Sequence, residues 1–217
     1  MAFVTLLPDQ NFIVGKIIGV GRNYTEHVKE MGAEKNQPPV LFLKPPTAIL
    51  HIGNPIRLPV YSKDVHYEVE LALLIGKGGK EIVQKDWKKY LAGAGLALDL
   101  TLRDIQNLAK EKGNPWSVSK GFDGSCPISE FTPLQNITNL NQLQIELAVN
   151  NVTRQKANTS EMIYQVDELI AYISKYFTLE PGDIILTGTP AGVGKISTGD
   201  ILRARISELG EMEFKVA

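Results

Sequence analysis

Residues 65–76 read VHYEVELALLIG, an apolar run that nevertheless carries two glutamates two positions apart. Side chains of a β-strand alternate between its faces. Read as a strand, the segment sets Tyr67, Val69, Leu71, Leu73 and Ile75 on one face and His66, Glu68, Glu70 and Ala72 on the other. The run GLALDLT at 95–101 repeats the design, with Leu96, Leu98 and Leu100 facing one way and Ala97, Asp99 and Thr101 the other. A solvated sheet face also carries acids. The flanks LALLIG and LAGAG, however, are too apolar for a surface strand. Acids beside such runs are enclosed, and enclosed carboxylates need a counter-charge. Three carboxylates suit a hard cation, Mg²⁺ or Mn²⁺, with Ca²⁺ as a further option, and leave about three octahedral positions for water or substrate. His66, on the same face, is a candidate fourth ligand. One histidine alone makes neither the two-histidine iron site nor a zinc site.

Working outward, KIIGV predicts a strand over Lys16–Val20 that ends in a glycine-bearing loop, and TEHVKEMG a short helix stopped at Gly32. VLFLKPPTAIL reads as an edge or irregular strand broken by Pro45 and Pro46. The second acid-bearing strand spans about Gly95–Leu100, and LRDIQNLAKEKGNP is a helix with Gly113 as its stop. QLQIELAVNNVTRQKA alternates like a hairpin turning at Asn150-Asn151. DELIAYISKYF is an amphipathic helix, LEPGDIILTGTP a turn and buried strand, and two strands around Gly210 close the chain. Strands outnumber helices without regular alternation. The fold class is therefore mixed, mostly β, with helices on its flanks.

The chain of 217 residues is 43% hydrophobic with a formal charge of −1, so nothing steers it toward nucleic acid or an anionic membrane. The N-terminus lacks the basic and apolar parts of a secretory signal, and no apolar run approaches a membrane span. The single cysteine, Cys126, forms no internal disulfide and fits a reducing, cytoplasmic setting as a structural thiol.

Other chemistry-bearing residues flank the acids. His27 and Glu30 are spaced i, i+3 in GRNYTEHVKEMG, so one helix face brings a carboxylate to a histidine, a common general-base arrangement. The segment 22–35, between glycines, suits a lid. Lys44, Arg103, Gln106 and Lys120 supply groups that bind a carboxylate near a metal. ILTGTPAGVGK fails the phosphate-loop pattern at Thr189 and Ile196, and GVGRNY has only two of three dinucleotide glycines. Thr187 and Thr189 are instead expected to hold an anion with their hydroxyls and nearby amides.

In order and spacing, the motifs GRNYTEHVKEMG, PVLFLKPPTA, HYEVELALLIG, ALDLTLRDIQ, PWSVSKGFDGSCP and LEPGDIILTGTPAGVG resemble the fumarylacetoacetate hydrolase family, from about Ile17 to Phe214. They are most similar to its short, single-domain acylpyruvase members. The resemblance implies a β-sandwich or β-roll in a homodimer, one catalytic domain over 1–217 with an N-terminal extension at 1–15. It also implies a metal held by Glu68, Glu70 and Asp99, and a lid dyad of His27 and Glu30. The substrate contacts it implies are Arg22, Lys44, Arg103, Gln106, Lys120 and Thr189.

The implied activity is Mg²⁺-dependent cleavage of the C3–C4 bond of 2,4-dioxo acids such as acetylpyruvate or fumarylpyruvate. In that reading His27 activates water, and Lys120 and Gln106 polarise the attacked carbonyl. Oxaloacetate decarboxylation or keto–enol tautomerisation at the same metal is the near alternative. Isomerases and decarboxylases of hydroxymuconate-type acids follow. A binding protein for 2-oxo acids without turnover stands as a different class, and the His27–Glu30 pair argues against it.

Overall fold

The structure, a computed structural model, describes residues 2–30 and 38–217. The expected helix stop at Gly32 and the last part of the 22–35 lid lie outside the described residues.

The strand Val69–Ile75 lies at the centre of an eight-stranded sheet. Across the sheet the order is Val40–Lys44, Ile17–Gly21, Ile184–Leu186, Val69–Ile75, Leu91–Leu98, Cys126–Ile128 and Ile49–His51. The short strand Thr132–Pro133 pairs onto Leu91–Leu98 as well. Val40–Lys44 and Ile49–His51, the two ends of that order, are joined only by Pro45 and the 3₁₀ turn Pro46–Ala48. At no more than about 3.6 Å per residue, such a link holds the two edges close together, so the sheet curls into a roll. The proline pair that breaks the sequence pattern is thus the corner that closes the roll.

The outer face carries the main core. Leu71, Leu73, Ile75, Leu96 and Leu98 pack with Ile145, Leu147, Leu202, Ile206 and Phe214, and with Leu169, Ile170 and Ile173. The first group of partners comes from a four-stranded antiparallel sheet ordered Val152–Asn158, Gln144–Val149, Ile201–Ile206, Gly210–Lys215. The second comes from the helix Val166–Tyr176. Asn150 and Asn151 turn the hairpin with φ of 51° and 64°, the left-handed pair a two-residue turn needs.

The opposite face, expected to be given over to acids, holds a second core. Ala72, Leu74 and Ala97 meet Ile17, Ile128, Ile184 and Leu186 there, covered by Val4, Leu6 and Val14 around the N-terminal hairpin Phe3–Leu6/Gln10–Ile13. Inside a tight curl small residues are needed. A Cβ on Gly19 would stand 2.2 Å from the Phe42 ring, its neighbour across the strand pair. Cys126 is buried in this second core, and burial pushes its thiol up to about 12, which keeps it protonated and structural. Among the described residues no helix is long and apolar enough to cross a membrane.

Two boundaries differ from the sequence reading. The acid-bearing strand begins at Leu91, not Gly95, and stops at Leu98. Asp99 therefore sits just beyond its end. Likewise the opening segment is two strands, Val65–Tyr67 and Val69–Ile75, with Glu68 at the break. Glu68 and Asp99 lie at the ends of their strands and opposite one another, where the Asp99 N–H still donates to Glu68 O at 2.8 Å.

Candidate metal centre and active site

Glu68, Glu70 and Asp99 converge as read from the sequence. One carboxylate oxygen from each lies within 4.8 Å of the others, and all three residues are buried. His66 does not join them. Its ring Nε2 pairs with Asp64 Oδ1 at 2.9 Å.

Three cations surround the acids. Lys120 Nζ donates to Glu68 Oε2 at 2.8 Å, to Thr101 Oγ1 at 2.7 Å and to Asp99 Oδ2. Arg103 Nη2 donates to Glu68 Oε1 at 2.5 Å, and Nη1 donates to Gln106 Oε1 at 2.7 Å. Lys44 Nζ lies 2.8 Å from Asp99 Oδ1. Lys120 and Phe42 also stack, with the ammonium 4.8 Å from the ring centroid.

Glu70 stands apart from this pairing. Its Oε2 accepts the Gly188 N–H at 2.6 Å, and no cation is bonded to it among the described residues. Burial opposes ionisation of Glu68, but Lys120, Arg103 and His27 outweigh it and hold that carboxyl well below the usual range. Burial instead pushes Glu70 well up, reinforced by the charges of Asp99 and Glu68. For Lys120 burial favours loss of the proton, but the Asp99 and Glu68 carboxylates keep it charged. A divalent cation among the three oxygens would supply the positive charge that Glu70 lacks. The donor set, all hard oxygens, fits Mg²⁺ or Mn²⁺.

Of these groups the three acids, Arg103, Gln106, Lys120 and Phe42 line a pocket of about 60 Å³ with Arg22, His27, Thr189, Lys110 and Trp116. By volume it takes only a few water-sized groups. His27 closes one side. Its Nδ1 pairs with Glu30 Oε2 at 2.9 Å, and Glu30 Oε1 accepts the Gly192 N–H at 3.1 Å. A carboxylate accepting the Nδ1 proton leaves Nε2 as the basic nitrogen. Arg22 takes a left-handed φ of 67°. The loop that holds it is pinned by buried Asn23, whose amide donates to Thr187 O at 2.8 Å and Tyr164 O at 3.0 Å.

Two expected contacts have other partners in the geometry. Lys44, read as a substrate contact, is 1% exposed and lies behind Asp99, outside the pocket lining. Its Nζ is bonded to Ser125 Oγ and Ser125 O at 3.0 Å, and to the Lys120 carbonyl. The hydroxyls of Thr187 and Thr189, expected to hold an anion, are bonded to the backbone. They donate to Leu71 O at 3.0 Å and Val69 O at 2.8 Å, so a strand carbonyl takes each proton.

Four residues escaped the sequence reading. Lys110 falls four positions after Gln106 and seven after Arg103, a same-face spacing that could have flagged it. Phe42 and Trp116 had no signal beyond being aromatic. Gln155, fully buried on the hairpin, accepts the Val69 N–H at 3.0 Å and donates to Thr189 Oγ1 and Pro190 O at 2.8 Å. It ties the segment between Glu68 and Glu70 to the loop beside them.

Comparison with known proteins gives a consistent picture. The family model described as fumarylacetoacetate (FAA) hydrolase C-terminal matches residues 16–217. The mitochondrial oxaloacetate decarboxylase of Dictyostelium discoideum is 47% identical over 203 residues, 93% of this chain and 93% of that protein. The mitochondrial oxaloacetate tautomerase FAHD1 of Mus musculus is 47% identical over 200 residues, 92% of this chain and 90% of that protein. A crystal structure of fumarylpyruvate hydrolase from Pseudomonas aeruginosa, in complex with Mn²⁺ and pyruvate, superposes with a TM-score of 0.96. It is 36% identical, covering 100% of this chain and 95% of that one. With a family model spanning nearly the whole sequence and relatives at this identity, the chain belongs to the fumarylacetoacetate hydrolase family.

Proposed function

We propose that the protein interconverts the enol and keto forms of oxaloacetate at a divalent cation held by Glu68, Glu70 and Asp99. The observation that carries this reading is the charge of the small buried pocket. Its three carboxylates meet Arg103 and Lys120 in the lining and Lys44 behind Asp99, with Glu70 bonded to none of them. With a divalent ion added, and with Arg22 and Lys110 also in the lining, the site is net positive, which favours an anionic 2-oxo acid. The relatives named for oxaloacetate chemistry favour this substrate over the acylpyruvates that motif resemblance alone suggests.

In this reading His27 does the proton work. Glu30 fixes the ring through Nδ1, and Nε2 accepts the proton from C3 of the keto acid. In the reverse direction the imidazolium returns that proton to C3, and Glu30 stabilises the charge on the ring. Arg103, locked by Glu68 and Gln106, presents a planar guanidinium to a substrate carboxylate. Lys120 keeps its positive charge beside the reacting oxygens. Held by Glu68, Glu70 and Asp99, Mg²⁺ or Mn²⁺ would supply Lewis acidity, an effect of roughly several kcal/mol.

Decarboxylation of oxaloacetate needs no base, so it leaves the His27–Glu30 pair idle. Hydrolysis of short acylpyruvates is the second reading. It uses the same pair to take a proton from water, and the fumarylpyruvate hydrolase likeness favours it. The test is a side-by-side assay with Mg²⁺ and with Mn²⁺: loss of the oxaloacetate enol absorbance, CO₂ release, and cleavage of acetylpyruvate and fumarylpyruvate. Enol conversion outpaces the other reactions and stops with EDTA. Acylpyruvate cleavage faster than enol conversion would put the hydrolase reading in its place.

A further inference from the structure

The pocket mouth carries cationic groups that proton transfer does not use. Lys110 lies on the pocket face of the helix Arg103–Lys112, beyond Arg103 and Gln106 as seen from the acids. Its Nζ stands 5.5 Å from the Trp116 ring centroid. Among the described residues Lys110 is in no ion pair with a carboxylate, and Arg22, across the lining, is in none either. Although Lys110 is solvent-exposed, its partial desolvation, with the charges of Arg103 and Arg22, presses the ammonium toward losing its proton. Cations crowded at a mouth without their own acids repel one another, so an anion from outside lowers their energy.

We propose that Lys110, with Arg22, is a specificity residue that receives a second carboxylate on the substrate, the one remote from the 2-oxo group. This rests on the 2-oxo acid reading above. The interior takes the carboxylate and 2-oxo group that address the metal centre. Its volume of about 60 Å³ leaves the distal end of a longer acid at the mouth. There the Lys110 ammonium and the Arg22 guanidinium select a dicarboxylate over a monocarboxylate of equal length. Trp116 holds the ammonium over its ring, which limits the freedom lost when the anion arrives.

A matched pair of non-reacting acids tests this: 2-oxoglutarate and 2-oxopentanoate share a chain length and differ in the terminal carboxylate. Calorimetry on the Mn²⁺-loaded protein should show wild type preferring the dicarboxylate by about tenfold or more, the scale of one charge-assisted contact. Lys110→Met should erase most of that preference while binding 2-oxopentanoate as before, and Lys110→Arg should restore it. Equal affinities in wild type, or a preference that survives in Lys110→Met, would overturn the assignment of Lys110 alone. A Mn²⁺-loaded wild type that binds neither acid would overturn the 2-oxo acid reading and this proposal with it.

Discussion

Lys44 Nζ lies 2.8 Å from Asp99 Oδ1 with both side chains essentially sealed from solvent. The lysine belongs to one edge strand of the curled sheet, and the aspartate follows the strand Leu91–Leu98 near the other edge. The pair therefore closes the roll at the point where the acid cluster is built.

Removing that lysine strands a buried charge. Lys44→Met should destabilise the metal-free protein by about 3–5 kcal/mol, the usual result of breaking one side of a buried ion pair. Urea unfolding measures it. A loss below about 1 kcal/mol would mean that Asp99 is compensated by Lys120 alone.

Glu70 behaves oppositely, because no cation is bonded to it and its neighbours repel its charge. Glu70→Gln should leave the metal-free protein at least as stable as wild type. Its affinity for Mg²⁺ or Mn²⁺ should fall by about tenfold or more, since hard-ion affinity follows ligand charge. Unfolding and calorimetry on one preparation give both numbers, and unchanged affinity would remove Glu70 from the ligand set.

His27 is predicted to matter for rate and not for the ion. His27→Ala should lower kcat for enol–keto conversion by about 10²–10⁴-fold with metal affinity intact. Residual oxaloacetate decarboxylation should hardly change. Equal losses in both reactions would contradict a proton-transfer role.

Gln155 holds three bonds in the core, and Gln155→Leu leaves the Val69 N–H and the Pro190 carbonyl without that partner. Each unsatisfied buried group costs about 1–3 kcal/mol. The variant should lose stability on that scale and also bind the divalent ion more weakly, because the backbone between Glu68 and Glu70 is no longer tied down. Thermal unfolding with and without Mn²⁺ separates the two effects.

The acid triad was legible because Glu68, Glu70 and Asp99 each announce a carboxylate in apolar company, even though Glu68 and Asp99 fall just outside the strands. The helix ending at Gly113 and the Asn150-Asn151 turn were legible for the same reason, since each depends on local chemistry. The second core was not. Ala72, Leu74 and Ala97 are covered by Val4, Leu6 and Val14, and nothing in a local pattern tells a strand which distant hairpin will lie on it. Lys44 was read as a substrate contact, whereas its ammonium lies against Asp99. The sequence shows that a lysine ends a strand, but the curl decides that its ammonium reaches Asp99 from behind. Gln155 had no local signal, because its partners lie on Val69, Thr189 and Pro190, far away in the chain.

The short proline corner between Lys44 and Ile49 has a thermodynamic corollary. Prising the roll apart at this seam drags Lys44 from Asp99 and spoils the oxygen cage. By linkage, an ion that prefers the intact cage must oppose the opening. Amide hydrogens of Val40–Lys44 and Cys126–Ile128 should therefore exchange more slowly once the cation is bound, so that the seam reports occupancy of the pocket without any catalysis.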